Sequence, residues 1–365
     1  MKSRTALRSS TFATIALLSM AHAGCRGGSS TDGEGGSSGT GITDDTALAC
    51  PFPGALPFEV EAQGFESSDN ELTIDGSPRS KDAAADALGN PGGVFADTYV
   101  AADAPSAAGA IRYKGRKART GQNSGLTAIP IRGEAVSLWT YDTESAAWLS
   151  LGRASTDDDG RYDIAPTAGF VSLGQPVYAV LEADKSCATH YDFLSPTGTK
   201  TIITDIDGTL TLSDEELFKQ IDDGTYEPLE NASASALMNL WSDKGYQIVY
   251  LTARPHEFRA ETRAWLEDRG FPLGAVITAN TLVFDETARQ YKRSWVNRVV
   301  TDFGWNVVAA YGNATSDIDA YEDAGIPKNI TFIVGPNAGA NGTQSIENND
   351  YGNHITDFVS QQPDA

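Results

Sequence analysis

A mixed α/β architecture, a doubly wound parallel sheet without a large cap, preceded by an all-β, sandwich-like domain, is predicted by three features of this 365-residue sequence. Residues 201–212, TIITDIDGTLTL, run two β-branched isoleucines straight into Asp205, Asp207, Gly208 and Thr209, the pattern of a buried strand ending in a polar loop. From there to Val334, apolar strands alternate with amphipathic helices, as in a βαβ series. Between residues 51 and 196 the pattern is instead one of short alternating segments separated by turn residues.

The chain is long enough for two domains, and a hydrophobic content of 40% suits globular cores. A formal charge of -22 speaks against general nucleic-acid binding. It also repels anionic membranes, although a local basic stretch can still act within a Debye length.

Residues 1–24 read as an export signal: Lys2, Arg4 and Arg8 precede an apolar run, and Ala21-His22-Ala23 is a small-residue cleavage site. Cys25 follows, so the stretch also resembles a bacterial lipoprotein signal, with His22 where that pattern has an aliphatic residue. Cleavage after Ala23 and a lipid anchor at Cys25 both stay open, and either implies a periplasmic or outer-surface location. Residues 25–50 are a Gly/Ser-rich tether that has too little apolar surface to fold. Export permits a disulfide between Cys50 and Cys187.

In the β-rich part, residues 51–196, strands are expected at 134–141, 160–164 and 176–183, with Asp157-Asp158-Asp159-Gly160 as a turn rather than a calcium loop. The run GEAVSLWTY followed by TDDDGRYDI resembles transthyretin-like or carboxypeptidase-regulatory-like sandwich domains. Arg112, Lys114, Arg116, Lys117 and Arg119 form one dense basic stretch, either a docking site for lipid phosphates or a solvated loop.

Residues 197–340 form the predicted α/β domain, and residues 341–365 read as a polar tail with a short terminal helix. Helices are expected near 232–244, at 257–269, through Trp295 to about Phe303, and near 319–324. Strands are expected at 247–251, 275–278, 307–311 and 330–334.

Paired aspartates at a strand end suit phosphate chemistry. A carboxylate approaching a phosphate is repelled by roughly 4 kcal/mol per charge pair at about 4 Å and an effective dielectric near 20, so a cation must offset it. Oxygen ligands favour Mg²⁺. Asp205 would form an aspartyl-phosphate while Asp207 protonates the leaving oxygen and then activates water; the bland alternative is an Asp-Gly hairpin turn. Thr209, Thr252 and Arg254 are the expected phosphate-binding residues. Thr252 is placed beside a following helix N-terminus, where it could equally be an ordinary N-cap. Lys292 shares a helical face with Val296, Val299 and Phe303, so it either meets the Asp205 carboxylate and the phosphate or snorkels to water. Asp317 is a candidate metal carboxylate opposite Asp205, with Asn313 as a direct or water-mediated ligand. Asp319 is sufficiently explained as a helix N-terminal acid.

The ordered stretches TDIDGTLT, VYLTARP, YKRSW and GNATSDIDAYEDAGIP are similar to the four motifs of the haloacid-dehalogenase (HAD) superfamily phosphatases. Within that superfamily they resemble lipin and related LNS2 domains, the Mg²⁺-dependent phosphatidate phosphatases. The resemblance implies Asp205 as nucleophile and Asp207 as acid/base and, through its backbone carbonyl, metal ligand. It likewise implies Thr252 as phosphate holder, Lys292 as the neutralising cation and Asp317 as metal ligand. Some related LNS2 domains bind phosphatidate without hydrolysing it because the first aspartate is absent, whereas Asp205 and Asp207 are both present here.

There is room between Asp207 and Thr252 for a short flap, and none for a separate cap domain. An open site suits a bulky substrate such as a phospholipid monoester at a membrane. The expected activity is therefore phosphatidate hydrolysis or that of a related phospholipid. Hydrolysis of another bulky phosphorylated molecule, or binding of a lipid phosphate without catalysis, are the alternatives.

Overall fold

The computed structural model describes residues 64–67, 70, 72–74, 77–79, 98–101, 113–121, 124–166, 176–183, 187–222, 226–255, 258–279 and 283–365. The expected export signal, tether, Cys25, Cys50 and Arg112 lie outside them. The described residues all fall within a single compact unit. No helix among the described residues is long and apolar enough to cross a membrane.

The β-rich part is built on a five-stranded sheet in the order Thr98–Ala101, Cys187–Ser195, Pro176–Leu181, Ala135–Asp142, Ala147–Ser155. Its pairings are antiparallel except for the first two strands, which run parallel. The ladder of Tyr113–Arg116 with Arg161–Ile164 contributes to the same core. Alternation decides which face is buried: Val136 and Leu138 on one strand meet Val177, Ala179 and Leu181 on its neighbour, together with Tyr113 and Tyr162. Asp157 to Gly160 form the expected turn, Asp157 accepting backbone N–H bonds from Asp159 and Arg161 while Gly160 takes φ 75°.

The basic stretch is not a uniform cationic surface. Lys117 is fully buried, and its Nζ donates to the Ala179 carbonyl at 2.9 Å; Arg116 Nε donates to the Asp159 carbonyl at 2.7 Å. A run of charges along the chain says nothing about which side chains turn inward.

The α/β part is a six-stranded parallel sheet. Its strands are β1 (Lys200–Thr204), β2 (Gln247–Pro255), β3 (Ala275–Ala279), β4 (Asn306–Gly312), β5 (Thr331–Ile333) and β6 (Gln344–Ser345), in the spatial order β3-β2-β1-β4-β5-β6. Between them run α1 (Glu215–Asp222), α2 (Ala234–Asp243), α3 (Arg259–Asp268), α4 (Asp285–Asn297), α5 (Thr315–Asp323) and, last, α6 (Gly352–Asp357).

Adjacent residues of β1 feed opposite faces of the sheet: Ile202 packs with Trp241 and Trp265, Ile203 with Val296, Val299 and Phe303. A strand covered on both faces must be apolar throughout, which is why it reads as a continuous hydrophobic run. Connections progress from β1 to β3 on one side and from β4 to β6 on the other. The carboxyl end of β1 is thus the point where the winding reverses and where ligands bind in such sheets.

Three elements differ from the expectation in ways that matter for the site. Strand β2 continues through Thr252, Ala253 and Arg254 to Pro255, and α3 begins only at Arg259, so Thr252 does not stand beside a helix N-terminus. Helix α5 begins at Thr315, which puts Asp317 inside its first turn. The residues beyond 340 are not a peripheral tail: Gln344–Ser345 pairs with β5, and Ile346, Tyr351 and Val359 are buried in the core. They are single apolar residues in a polar segment, with no periodicity to announce them.

Candidate active site

Asp205 follows β1 directly, and its backbone N–H donates to the Tyr311 carbonyl of β4 at 3.0 Å. This locks the start of the loop to the neighbouring strand. Gly208, at φ 69°, turns the loop beneath Asn313; a Cβ there would overlap the Asn313 amide. Close approach recurs at Gly312, where a Cβ would sit 2.5 Å from that of Asp317.

Lys292, on α4, is the centre of charge. Its Nζ lies 2.8 Å from Asp205 Oδ1 and 2.5 Å from Asp317 Oδ1, and all three side chains are buried. Val296, Val299 and Phe303 carry the same face onto the sheet, the last two past the end of α4, beyond which residues 298–302 form a π-helical turn. The lysine therefore sits on an apolar face and meets anions there rather than water. The second oxygen of Asp317 accepts the backbone N–H groups of Asn313 and Ala314, both at 3.0 Å, at the start of α5.

Burial raises the pKa of Asp205 above the ordinary carboxylate value; Lys292 opposes this, while Asp317 and Asp207 add to it. Burial disfavours the charge on Lys292, but the two carboxylates outweigh it and hold its pKa above the ordinary value. Asp205, Asp207, Asp317 and, at the rim, Asp214 are four carboxylates facing two cations, Lys292 and Arg254. A divalent cation would redress that imbalance.

The donor set fits such a cation. Every candidate ligand is an oxygen: the carboxylates of Asp205 and Asp317, the Asn313 amide and the Asp207 backbone carbonyl. Asn313 Nδ2 donates to Asp214 Oδ1 at 2.9 Å, which turns its Oδ1 toward Thr209, whose Oγ1 lies 3.4 Å away. Thr209 Oγ1 also donates to Asp205 Oδ2 at 3.3 Å. Among the described residues no three His, Cys, Asp or Glu side chains gather as a metal cluster. Two carboxylates with neutral oxygens suit Mg²⁺, which keeps several of its waters, better than an all-protein cage would.

Arg254 is placed differently from the expectation. Its guanidinium is fully buried and closes on Asp207: Nη2 donates to Oδ1 at 2.7 Å and Nε to Oδ2 at 2.9 Å. Thr252, also buried, donates to Asp207 Oδ2 at 3.3 Å and accepts the Arg254 backbone N–H at 3.1 Å. Two of the three residues expected to hold phosphate, Thr252 and Arg254, thus contact the Asp207 carboxylate, while the third, Thr209, contacts Asp205. Thr252 and Arg254 turn this way because they are strand residues of β2, next to the loop after β1.

Several supporting residues were not foreseen. Asn231 Nδ2 donates to the carbonyls of Thr209 and Thr211, at 2.8 and 3.0 Å, and Tyr351 Oη to the Thr209 carbonyl at 3.0 Å. Asn231 and Tyr351 act over long sequence separations and belong to no local motif. Asp214, a few residues past the D-x-D-G-T loop, was the one with a nearby signal.

The fold and this site define a doubly wound α/β domain with a cluster of aspartates at the carboxyl end of its central strand. Residues 202–335 match the family model described as PITM 1-3, LNS2 domain. Curated relatives include membrane-associated phosphatidylinositol transfer protein 3 of Mus musculus, 28% identical over 214 residues, which are 58% of this chain and 21% of that protein. Protein retinal degeneration B of Drosophila melanogaster is 29% identical over 214 residues, 58% of this chain and 16% of that protein. The chain thus matches about a fifth or less of these relatives' length. The aligned stretch is longer than the segment from 202 to the carboxyl terminus, so the likeness reaches back into the β-rich part. Similar solved structures include a substrate-bound phosphoserine phosphatase complex (TM-score 0.32, 14% identity, 45% of this chain and 99% of that chain). Another is the cobalt-bound deoxy-D-mannose-octulosonate 8-phosphate phosphatase of Haemophilus influenzae (TM-score 0.26, 18% identity, 38% and 70%).

Proposed function

We propose that this chain is an exported, Mg²⁺-dependent phosphatase that hydrolyses a phosphate monoester, phosphatidate or a related phospholipid, through an aspartyl-phosphate. The observation that carries the reading is the buried Asp205–Lys292–Asp317 cluster beside Asp207 at the carboxyl end of the central strand. Bound at Asp205, Asp317, Asn313 and the Asp207 carbonyl, Mg²⁺ would offset the negative charge shared by carboxylate and phosphate.

Asp205 attacks phosphorus, forming an acyl phosphate as the bond to the leaving oxygen breaks. Asp207 gives that oxygen its proton. In the second half, Asp207 takes a proton from water, whose oxygen attacks phosphorus, releasing inorganic phosphate and restoring the Asp205 carboxylate. Lys292 holds Asp205 in place and balances charge throughout.

An amphiphilic substrate is supported by the flap between β1 and β2. Leu212, Phe218 and Leu229 are 45%, 46% and 48% exposed there, and the Leu212 N–H donates to the Leu229 carbonyl at 2.7 Å. Three large apolar side chains open to solvent near the site suit acyl chains better than a small metabolite. The names of the relatives, membrane-associated phosphatidylinositol transfer proteins, agree with a phospholipid ligand. An amino-terminal signal, with Cys25 as its anchoring residue, would place the enzyme at a membrane surface outside the cytoplasm.

Phosphate release from phosphatidate in mixed micelles, with Mg²⁺ or chelator, tests the proposal against the Asp205→Asn variant. Metal-dependent release abolished by the substitution is expected. Binding without release by the unsubstituted chain would replace the hydrolase with a lipid-phosphate receptor, and release from aryl phosphate alone would remove the lipid.

A further inference from the structure

Arg254 commits all three guanidinium nitrogens to protein oxygens. Nε and Nη2 close on the two Asp207 oxygens as a fork, Nη1 donates to Thr262 Oγ1 at 3.1 Å, and Gln220 Oε1 lies 3.5 Å from Nη1. Thr262 is itself fixed, donating to the Phe258 carbonyl at 2.6 Å. The guanidinium is fully buried, whereas the Asp207 side chain is 15% exposed. Of the pair, the carboxylate is the member a substrate can reach.

We infer that Arg254 is a positioning residue, which fixes the carboxylate of Asp207 toward the leaving oxygen and does not bind the transferred phosphate. The inference rests on the hydrolase reading above. A fork of two parallel charge-assisted bonds fixes the carboxylate plane as well as its distance, which a single ammonium cannot do. Gln220 belongs to α1 of the flap, so the same guanidinium also touches the element that borders the site.

The two roles differ in what they do to leaving-group dependence. Phosphoryl transfer to Asp205 requires a proton from Asp207 when the leaving group is an alkoxide, and hardly any when it is a stabilised aryl oxide. A phosphate contact serves both substrates alike. The test compares kcat/KM, which reports this first half-reaction, for short-chain phosphatidate and para-nitrophenyl phosphate. The unsubstituted enzyme is measured beside Arg254→Lys and Thr262→Val, each checked for folding by circular dichroism.

The alkyl-to-aryl ratio of kcat/KM is expected to fall by about 10²-fold in Arg254→Lys. Thr262→Val, which only loosens the guanidinium, is expected to lower it in the same direction by less and covers the case in which the arginine variant does not fold. In an Asp207→Asn background the ratio should not change further, because the group being positioned is gone. An unchanged ratio in the folded variants, whether both rates fall equally or neither falls, overturns the inference while leaving the phosphatase intact. No release from either substrate by the unsubstituted enzyme would sink the hydrolase reading itself, and this assignment with it.

Discussion

Replacing Lys292 with Met tests whether Asp205, Lys292 and Asp317 are one electrostatic unit. The substitution keeps much of the volume and the apolar stem but removes the nitrogen that touches both carboxylates, at 2.8 and 2.5 Å. Two buried carboxylate oxygens that share one ammonium at those distances lie no more than about 5 Å apart and repel by roughly 3 kcal/mol or more at an effective dielectric near 20. Removing one partner of a buried ion pair costs about 3–5 kcal/mol, so a loss of that size in unfolding free energy is expected in chelator. Mg²⁺ should then recover a large part of the loss. Taking a unit positive charge away from a site for a divalent cation tightens cation binding by about tenfold or more, and a ligand that binds only the folded state stabilises it by mass action. Urea titrations followed by tryptophan fluorescence, with chelator and with saturating Mg²⁺, measure both effects. A variant within about 0.5 kcal/mol of the unsubstituted protein in chelator, or one that Mg²⁺ stabilises no more than it stabilises the unsubstituted protein, would refute the reasoning.

Gly208→Ala should lose turnover and cost about 2 kcal/mol or more in thermal unfolding, because φ 69° strains an alanine and its Cβ would overlap the Asn313 amide. His354 is held down to about 4, from an ordinary 6.5, by burial. Its neutral form is the one folded, so the stability it contributes is present above pH 6.5 and is lost as pH falls toward 4. The loss in that window should reach about 2 kcal/mol once partial exposure is allowed for, and His354→Gln should flatten it in pH-dependent denaturation. Truncation after Asn341 removes buried Ile346, Tyr351 and Val359, each contributing about 1.5–3 kcal/mol, and should leave a chain that lacks a cooperative unfolding transition.

The sheet and the Asp205 loop were legible because each is written locally. Ile202 and Ile203 announce a strand buried on both faces, and Asp205 to Thr209 follow within a few residues. Lys292 was legible for a related reason, since a lysine in register with Val296, Val299 and Phe303 has to meet an anion or leave the face. What escaped the sequence is direction. Thr252 and Arg254 reach the loop after β1, but the group they touch there is Asp207, which depends on β2 running on to Pro255. Lys117 shows the same blindness in the β-rich part, where one cation of a charged run turns inward to the Ala179 carbonyl.

The residues that the sequence hid also share a physical task. Tyr351 reaches the Thr209 carbonyl from 142 positions away, and Asn231 ties down the same loop from the far side of α1. Gln220 and Thr262 brace the arginine that grips Asp207. The motif residues bring the charge, and these distant polar groups restrict where that charge can point. A site reduced to its motif would keep the carboxylates without fixing their orientation, and general acid catalysis is sensitive to that orientation. Substitution of a bracing residue should therefore shift leaving-group dependence before it shifts fold stability, the reverse of the order expected for Lys292, whose first duty is to hold two buried anions together.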